Sequence, residues 1–259
     1  MTMAKRINLN ADLGESFGAW RMGSDAAMLE VVTSASVACG FHAGDPLVME
    51  ETLAIAKRRG VSIGAHPAFP DLQGFGRRRM DVPPAELEAM LIYQIGGLAA
   101  IGRAQGVTVS HVKPHGALSN MACVDKALAD TVVRGIHRLD SRLILLAPAL
   151  SQLARAGRDI GLAVVEEIFA DRAYLDDCSL VPRSRADALI HGAEASLAHV
   201  MRMLDVGAIV SVSGKHLPVQ AQSICVHGDN ADAVATAHAI RKGLAEAGYE
   251  LVPLPALAA

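Results

Sequence analysis

The sequence predicts an α/β protein, and the preferred architecture is an irregular barrel of seven parallel strands surrounded by helices. Short apolar runs alternate with longer helix-like segments, a pattern typical of βαβ units. Hydrophobic residues make up 51% of the chain but aromatic residues only 3%, so the core must be built largely from aliphatic side chains, which suits a parallel sheet. The length of 259 residues fits one large barrel, and no linker divides the chain, so we expect one domain over residues 1–259. An open, doubly wound sheet is the alternative.

Seven apolar runs are the predicted strands of the barrel. They occupy residues 7–10, 37–39, 61–65, 109–112, 143–146, 163–165 and 224–226. Residues 208–212 are a weaker eighth candidate, and we expect them to form a hairpin with residues 224–227.

Helices are predicted between the strands from their capping residues. Ser24 is a good N-cap for a short helix over residues 25–32. The next helix has Asp45 as its N-cap and Pro46 at its first position, and it ends at Gly60. The later helices are predicted over residues 84–106, 125–139, 148–156, 184–204 and 230–248.

Composition narrows the class of protein. A net charge of −3 without a basic block gives no support for a nucleic-acid or membrane-surface partner. The 4 cysteines are scattered without C-x-x-C spacing, which disfavours a structural zinc site and fits a reducing cytosol. We see no signal peptide and no run long enough to span a membrane, so we expect a cytoplasmic protein. A phosphate-binding G-x-x-x-x-G-K-[ST] loop is absent, so any nucleotide must bind by another geometry.

Six of the seven strands end in residues that can do chemistry, and strand ends converge on one rim of an α/β barrel. Asp12, His42 and His66 follow the first three strands. One carboxylate and two imidazoles form an ordinary ligand set for a divalent metal, so these residues are the candidate metal site. A turn or capping role for Asp12 and a carbonyl-bound loop histidine at position 42 remain the structural alternatives.

Later strands add further candidates. Lys113 lies on a predicted buried strand, so we expect a partner such as Asp12 or Glu167, or an anionic substrate. His115 lies just beyond the same strand. Side chains alternate along a strand, so only one of Glu166 and Glu167 faces the barrel centre, and spacing alone does not say which.

Two more segments carry candidate binding residues. Arg77 is the first of three arginines after a glycine-rich loop, and its guanidinium suits a carboxylate or phosphate. His227 ends the last strand, and Asp229 follows it, although Asp229 equally fits as the cap of the last helix. A mutual pair of Asp171 and Arg172 would account for both of those residues.

Five blocks of the sequence stand out: NLNADLGE at residues 8–15, ACGFHAGD at 38–45, GAHP at 64–67, VKPHGAL at 112–118 and CVHGD at 225–229. Together they resemble the signatures of the LamB/YcsF family, whose members are also known as the A subunits of 5-oxoprolinase. The resemblance spans about residues 7–251. It implies an ATP-hydrolysing enzyme that opens the lactam of 5-oxo-L-proline to L-glutamate together with two partner subunits, B and C.

The resemblance also implies a fold and a site. The family fold resembles the seven-stranded barrel of the glycoside hydrolase/deacetylase type, whose members bind a metal through an Asp and two His after early strands. Asp12, His42 and His66 occur in that order, and the resemblance implies that Asp12 is either the general base or a metal ligand. We expect the catalytic residues to be Asp12, His42, His66, Lys113, His115, Glu167 and His227. The residues expected to contact ATP are Arg77, Lys113 and Asp229.

Two other functions remain open at this stage. A metal-dependent amide hydrolase of the deacetylase kind would need Asp12, His42 and His66 but neither ATP nor partner chains. A non-catalytic protein that only positions its partners is the third interpretation, and the density of polar residues at strand ends argues against it.

Overall fold

Seven of the ten strands that the structure describes close into a parallel barrel. The computed structural model describes residues 5–227 and 232–258. The strands are β1 (Lys5–Leu13), β2 (Ser34–Ala38), β3 (Ser62–His66), β4 (Val109–Val112), β5 (Ile144–Pro148), β6 (Val164–Phe169), β7 (Ala208–Val210), β8 (His216–Pro218), β9 (Ser223–His227) and β10 (Tyr249–Leu251). Around the barrel the order is β1–β2–β3–β4–β5–β6–β9, and β9 pairs back onto β1. The predicted seven-stranded barrel is therefore confirmed, and the open sheet is wrong.

Helices fill the connections between barrel strands and cover its outer face. They are α1 (Asp25–Met28), α2 (Pro46–Arg59), α3 (Pro84–Ala104), α4 (Gly116–Ala122), α5 (Lys126–Leu139), α6 (Gln152–Asp159), α7 (Ala193–Val206) and α8 (Ala233–Glu246). The predicted limits of α2 are confirmed, because the Asp45 carboxylate accepts hydrogen bonds from two first-turn amides and Gly60 adopts the left-handed conformation. Among the described residues, no helix combines the length and apolarity needed to cross a bilayer.

Several predicted boundaries are wrong. Residues 208–212 do not pair with residues 224–227: β7 forms an antiparallel hairpin with β8, because both edges of β9 are already occupied by β1 and β6. Helix α6 begins after Ser151, since β5 continues to Pro148. Helix α7 begins at Ala193 rather than 184, because Gly192 has a φ of 87° and ends an irregular segment.

Helix α4, strands β8 and β10 and a final 3₁₀ turn are absent from the predicted set. Helix α4 directly follows His115, and β10 pairs in parallel with the start of β1. The predicted start of the last helix at residue 230 lies outside the described residues.

The barrel axis is polar, whereas the aliphatic core lies between the strands and the helices. Along β1, Leu9 and Leu13 are buried in the apolar core. The alternate residues point inward, where Asn8 bonds to Ser34 on β2 and Asn10 bonds to Glu167 on β6. Barrels of this general kind usually fill their interior with branched aliphatic side chains. The inward face of this barrel is instead a column of hydrogen-bonding groups that ends at the rim formed by the carboxyl ends of the strands.

The segment after β10 covers the amino-terminal end of the barrel. The side chain of Asn8 donates to the carbonyl of Val252 at 2.9 Å, and the amide of Leu254 donates to the hydroxyl of Ser34 at 3.0 Å. A 3₁₀ turn, Leu254–Leu257, follows. The polar axis is thus closed at this floor, and its functional groups face the opposite rim.

Candidate active site

Two buried clusters of polar side chains lie side by side at the carboxyl ends of the strands. The imidazole cluster consists of Glu15, His42, His66 and His115. The ammonium cluster consists of Asn10, Asp12, Lys113, Glu167 and Cys225. Asp12 links them, because its second carboxylate oxygen lies 3.3 Å from His66 Nε2.

Lys113 is the centre of the ammonium cluster and is only 4% exposed. Its Nζ lies 2.9 Å from Asp12 Oδ1 and 3.1 Å from Glu167 Oε2. It also lies 3.2 Å from Asn10 Oδ1 and 3.0 Å from Cys225 Sγ. Both carboxylate partners expected for this lysine are therefore present.

The charges in this cluster support one another. Burial alone would lower the pKa of Lys113, but Asp12, Cys225 and Glu167 hold that pKa well above its ordinary value. Burial would raise the pKa of Asp12, yet His66 and Lys113 hold it well below its usual range. For Glu167, burial outweighs Lys113 and the pKa is raised. The cluster thus holds an ammonium, a carboxylate and one carboxyl group that takes up a proton more readily.

The structure resolves which of the two adjacent glutamates faces the centre. Glu167 is 1% exposed and meets Lys113 inside the barrel. Glu166 points outward, where it accepts from the amide of Leu150 at 2.9 Å and pairs with Arg158 at 3.1 Å. Glu167 is therefore the residue placed for chemistry, and Glu166 ties two surface segments together.

In the imidazole cluster, backbone carbonyls fix the tautomers of two histidines. His66 Nδ1 lies 2.6 Å from the carbonyl of Lys113, and His115 Nε2 lies 2.8 Å from the carbonyl of Phe75. A carbonyl only accepts, so each of these nitrogens carries the hydrogen. The remaining nitrogens, His66 Nε2 and His115 Nδ1, are 2.9 Å apart. In their neutral forms these two rings therefore point lone pairs at each other.

His42 completes this cluster. Its ring stacks on His115 at 3.8 Å between centroids, and among the described residues neither of its nitrogens has a hydrogen-bond partner. Its Nε2 lies 3.4 Å from Glu15 Oε1. Burial, then the neighbouring imidazoles of His115 and His66, holds the pKa of His42 well below its usual range, and burial followed by His66 does the same for His115. Two of the three rings are thus kept neutral.

A glycine behind the stacked rings explains how the chain brings them together. Gly76 has a φ of 63°, and a β-carbon at this position would lie 2.8 Å from His115 Cδ2 and 2.9 Å from His42 Cβ. Phe75 contacts both rings edge-on, with centroids 5.4 Å from His42 and 5.2 Å from His115. The glycine-rich loop after β3 therefore forms the wall of the cluster.

His227 lies at the border of the ammonium cluster. Its Nδ1 is 2.7 Å from Asp171 Oδ1, and its ring stacks on Phe169 at 5.6 Å. The alternative pairing of Asp171 with Arg172 is wrong, because Arg172 donates to the carbonyl of Val181. A cleft of about 250 Å³ opens beside His227 and Asp171.

The remaining predicted residues lie at the edge of the site or outside the described chain. The guanidinium of Arg77 is exposed and lies 4.9 Å from the centroid of the Phe75 ring, so it reaches the rim of the imidazole cluster. Its neighbour Arg78 is engaged by Asp71. Asp229 lies outside the described residues.

Three members of the clusters were not among the site residues expected from the sequence. Asn10 could have been found, because it lies two residues before Asp12 on the same strand face. Cys225 has the same relation to His227. Glu15 follows the turn at Gly14, where φ is 69°, and no periodic pattern predicts its direction beyond that turn.

Known proteins resemble this chain over nearly its full length. The sequence model of the LamB/YcsF family matches residues 7–259. The A subunit of 5-oxoprolinase from Azoarcus sp. (strain BH72) is 60% identical over 250 residues, which cover 96% of this chain and 98% of the relative. The crystal structure of the lactam utilization protein from Thermus thermophilus has a TM-score of 0.90 and 40% identity, and the match covers 96% of this chain and 100% of that one.

A more distant likeness concerns the fold alone. A structure of T48 deacetylase with substrate has a TM-score of 0.51 and 15% identity, with 98% of this chain and 90% of that chain covered. The expected likeness to the deacetylase barrel is thus confirmed. With the family model matching residues 7–259 and a relative at 60% identity, the chain belongs to the LamB/YcsF family.

Proposed function

We propose that this chain acts as the A subunit of an ATP-dependent 5-oxoprolinase, which opens the lactam of 5-oxo-L-proline to L-glutamate together with subunits B and C. The observation that carries the proposal is the pair of adjoining buried clusters, in a family whose relatives are named for this activity. The reaction adds water to the amide carbon and breaks the ring C–N bond, and the departing nitrogen gains a proton. ATP makes this unactivated amide reactive if it phosphorylates the amide oxygen and leaves as ADP. Breaking the C–N bond then gives an acyl phosphate, and a second water releases inorganic phosphate and the glutamate carboxylate.

The ammonium cluster supplies charge and protons to this reaction. Lys113 keeps its proton, so it acts as a fixed positive charge for the oxyanion or for phosphate oxygens. Asp12, whose second oxygen faces His66, is placed to orient the attacking water and accept its proton. Glu167 has a raised pKa, and among the described residues its Oε1 has no hydrogen-bond partner, so it is suited to protonate the departing nitrogen.

Residues at the rim would hold the rest of the substrates. His227, oriented by Asp171, lines the cleft, and we assign its Nε2 a contact with the bound substrate. Arg77 is exposed at the rim of the imidazole cluster, where its guanidinium suits a carboxylate or a phosphate of ATP. We assign ATP contacts to Arg77 and Lys113 as part of this proposal.

The imidazole cluster fits a divalent metal. Its two facing lone pairs, the lone-pair nitrogen of the unpartnered His42 ring and the nearby Glu15 carboxylate make a set of nitrogen and oxygen ligand atoms. When bound, a metal would polarise the amide carbonyl or lower the pKa of water. This donor set retains His42 and His66 of the predicted trio, adds His115 and Glu15, and leaves Asp12 at its edge.

The second group of metal-type ligands does not fit a metal equally well. Asp12, Cys225 and His227 approach one another closely, but the Lys113 ammonium lies 2.9 Å from Asp12 and 3.0 Å from Cys225. That position already holds a positive charge. We therefore place the metal in the imidazole cluster.

Glutamate release from 5-oxo-L-proline tests the proposal. The wild-type chain is assayed alone and with subunits B and C, with ATP, and ADP is measured in parallel. We expect glutamate and ADP only in the mixture, and large losses for Asp12→Asn and Lys113→Ala in complexes that still assemble. Full activity in both variants would favour a purely positioning role for this chain. Glutamate absent from every mixture, with chelator-sensitive hydrolysis of an acetylated amide, would favour the deacetylase-like alternative, which the imidazole cluster also suits.

A further inference from the structure

Hydrogen-bonded side chains run along the barrel axis from its floor to Lys113. Asn8 bonds to the floor at Val252, Ser223 bonds to Asn8 at 2.7 Å, and Asn10 bonds to Ser223 at 2.8 Å. We call Asn8, Ser223 and Asn10 the axial column. All three are fully buried, and none of them lies in the catalytic or metal-binding sets expected from the sequence.

The direction of every hydrogen bond in the axial column follows from the floor. The carbonyl of Val252 only accepts, so the Asn8 amide must present Nδ2 to it and Oδ1 to Ser223. Ser223 donates its single hydrogen to Asn8 Oδ1, so it can only accept a hydrogen bond from Asn10. Asn10 therefore turns its Nδ2 toward Ser223, where the carbonyl of Ile224 also accepts from it at 3.2 Å, and its Oδ1 is left for Lys113.

This fixed direction matters because Lys113 has only donors. Asn10 Oδ1 accepts from Lys113 Nζ at 3.2 Å, while Asn10 Nδ2 lies 3.1 Å from Glu167 Oε2. If the amide were reversed, its NH₂ would face the ammonium, and Glu167 would lose a donor. One orientation of Asn10 thus serves both charged neighbours.

We propose that the axial column is a positioning device: it fixes the Asn10 amide and thereby holds the Lys113 ammonium at its place between Asp12 and Glu167. Its residues act through Lys113 and do not touch substrate. The expected change in kcat rests on the proposed function, whereas the expected change in the crystal structure of the variant does not.

The test removes the Ser223 hydroxyl in the assembled complex with subunits B and C. We expect Ser223→Ala to lower kcat about 10- to 100-fold, because small misplacements of catalytic groups have effects of that order, while KM stays within about twofold. Ser223→Thr keeps a hydroxyl on a residue that strands favour, and it should restore kcat to within about threefold of wild type. Ser223→Cys, nearly the same shape with a weak donor, should resemble Ser223→Ala and serves if alanine impairs folding.

Ser36→Ala is the matched control. Ser36 is as buried as Ser223 and lies on β2, the strand next to β1, opposite Asp12 in register. Among the described residues its hydroxyl has no hydrogen-bond partner. The substitution removes the same atom from the barrel interior without touching the axial column. We expect its kcat to be that of wild type.

Crystal structures of wild type and Ser223→Ala give the readout that is independent of activity. We expect the Asn10 amide, which the Ile224 carbonyl, Glu167 and Lys113 still contact, to shift in the variant and its contact with Lys113 to lengthen. Three results would each overturn the inference. They are a wild-type kcat in both Ser223→Ala and Ser223→Cys, an equal loss of kcat in Ser36→Ala, and a kcat of Ser223→Thr that falls outside threefold of wild type. If the wild-type complex releases no glutamate, the proposed function fails and the crystal structures alone decide: an unchanged Asn10–Lys113 contact would then overturn the positioning role.

Discussion

The two clusters at the carboxyl rim of the barrel differ in how far the chain satisfies them. In the ammonium cluster, Lys113 finds four partners within the chain, and its charge is matched by Asp12. In the imidazole cluster, two lone pairs face each other and His42 has no hydrogen-bond partner among the described residues. In the first cluster the central charge is fully paired and the unpartnered oxygen of Glu167 lies at its side, whereas the second has the ligand atoms of a binding site. Buried polar groups are costly when left unpaired, so this difference predicts different responses to mutation, metal and pH.

Replacing the central ammonium should have the largest effect. Lys113→Met leaves the Asp12 carboxylate buried without its partner, so we expect coupled activity to fall at least ~1,000-fold and the free energy of unfolding to fall by about 3–5 kcal/mol. Glutamate release and urea unfolding measure the two losses. Lys126→Met is the control, because Lys126 is exposed and pairs with Asp130 at the surface. Unchanged stability in Lys113→Met would mean that the Lys113 ammonium does not compensate for the burial of the Asp12 carboxylate.

Replacing a ring in the imidazole cluster should abolish a binding function and leave the fold intact. We expect the wild-type chain to bind about one divalent metal ion per chain, and His42→Phe to weaken that binding at least ~100-fold while keeping the stacked ring. Titration calorimetry with Zn²⁺ measures the affinity. His238→Phe, an exposed position on α8, should bind like wild type. Equal affinity in wild type and His42→Phe would place the metal elsewhere or nowhere.

A substitution behind the rings should disturb the imidazole cluster alone. Gly76→Ala would press a methyl group against His42 and His115, so we expect metal affinity to fall about 10-fold. Because Gly76 has a positive φ, the substitution should also lower the free energy of unfolding by roughly 1–2 kcal/mol through backbone strain. Gly18→Ala is a close match, since Gly18 has a φ of 55° but nothing lies within 4 Å of the added carbon. The difference between the two variants isolates the contact from the strain. Equal metal affinity in both would show that Gly76 does not set the ring positions.

The smallest expected effect is a pH dependence confined to the imidazole cluster. Because the pKa values of His42 and His115 are lowered in the folded state, their contribution to stability is present above the unfolded pKa of about 6.5 and is lost as the pH falls below it. The slope approaches about 1.4 kcal/mol per pH unit for each histidine. Lys113, with its raised pKa, loses its contribution only at alkaline pH.

Urea unfolding of metal-free wild type and His42→Phe between pH 7.5 and 5.5 measures this difference. Glu167, whose pKa is raised, contributes with the opposite sign in both proteins, so it cancels in the comparison. The variant should lose less stability on acidification than wild type. Parallel curves would show that His42 takes up a proton as easily in the folded chain as in the unfolded one.

Features of the fold that depend on local sequence signals could be predicted, whereas features that depend on contacts between distant parts of the sequence could not. The barrel strands and α2 were predictable, since apolar runs and the Asp45 and Gly60 caps are local signals. The partner of β7 was not, because it depends on which strand edges remain free after the barrel closes. Strand β10 has only three residues and gains its stability from β1, which is far away in sequence.

The site shows the same division. Strand-end positions placed Asp12, Lys113 and His66 near one another, and the expected carboxylate partners of Lys113 are there. The choice of Glu167 over Glu166 depended on the pleat of β6 relative to the axis, which the sequence leaves open. Glu15 needed the turn at Gly14 to be known. The roles of these residues in catalysis stay predictions until the variants above are measured.

The floor of the barrel has a consequence for how the chain folds. Asn8 bonds to Val252, 244 positions later, and Asn10 to Ile224, 214 positions later. Such distant pairings must wait for loop closure, which slows folding and places barrel completion last. While the chain is being synthesised, β1 therefore keeps one edge open until β9 emerges from the ribosome, and exposed strand edges invite pairing with other chains.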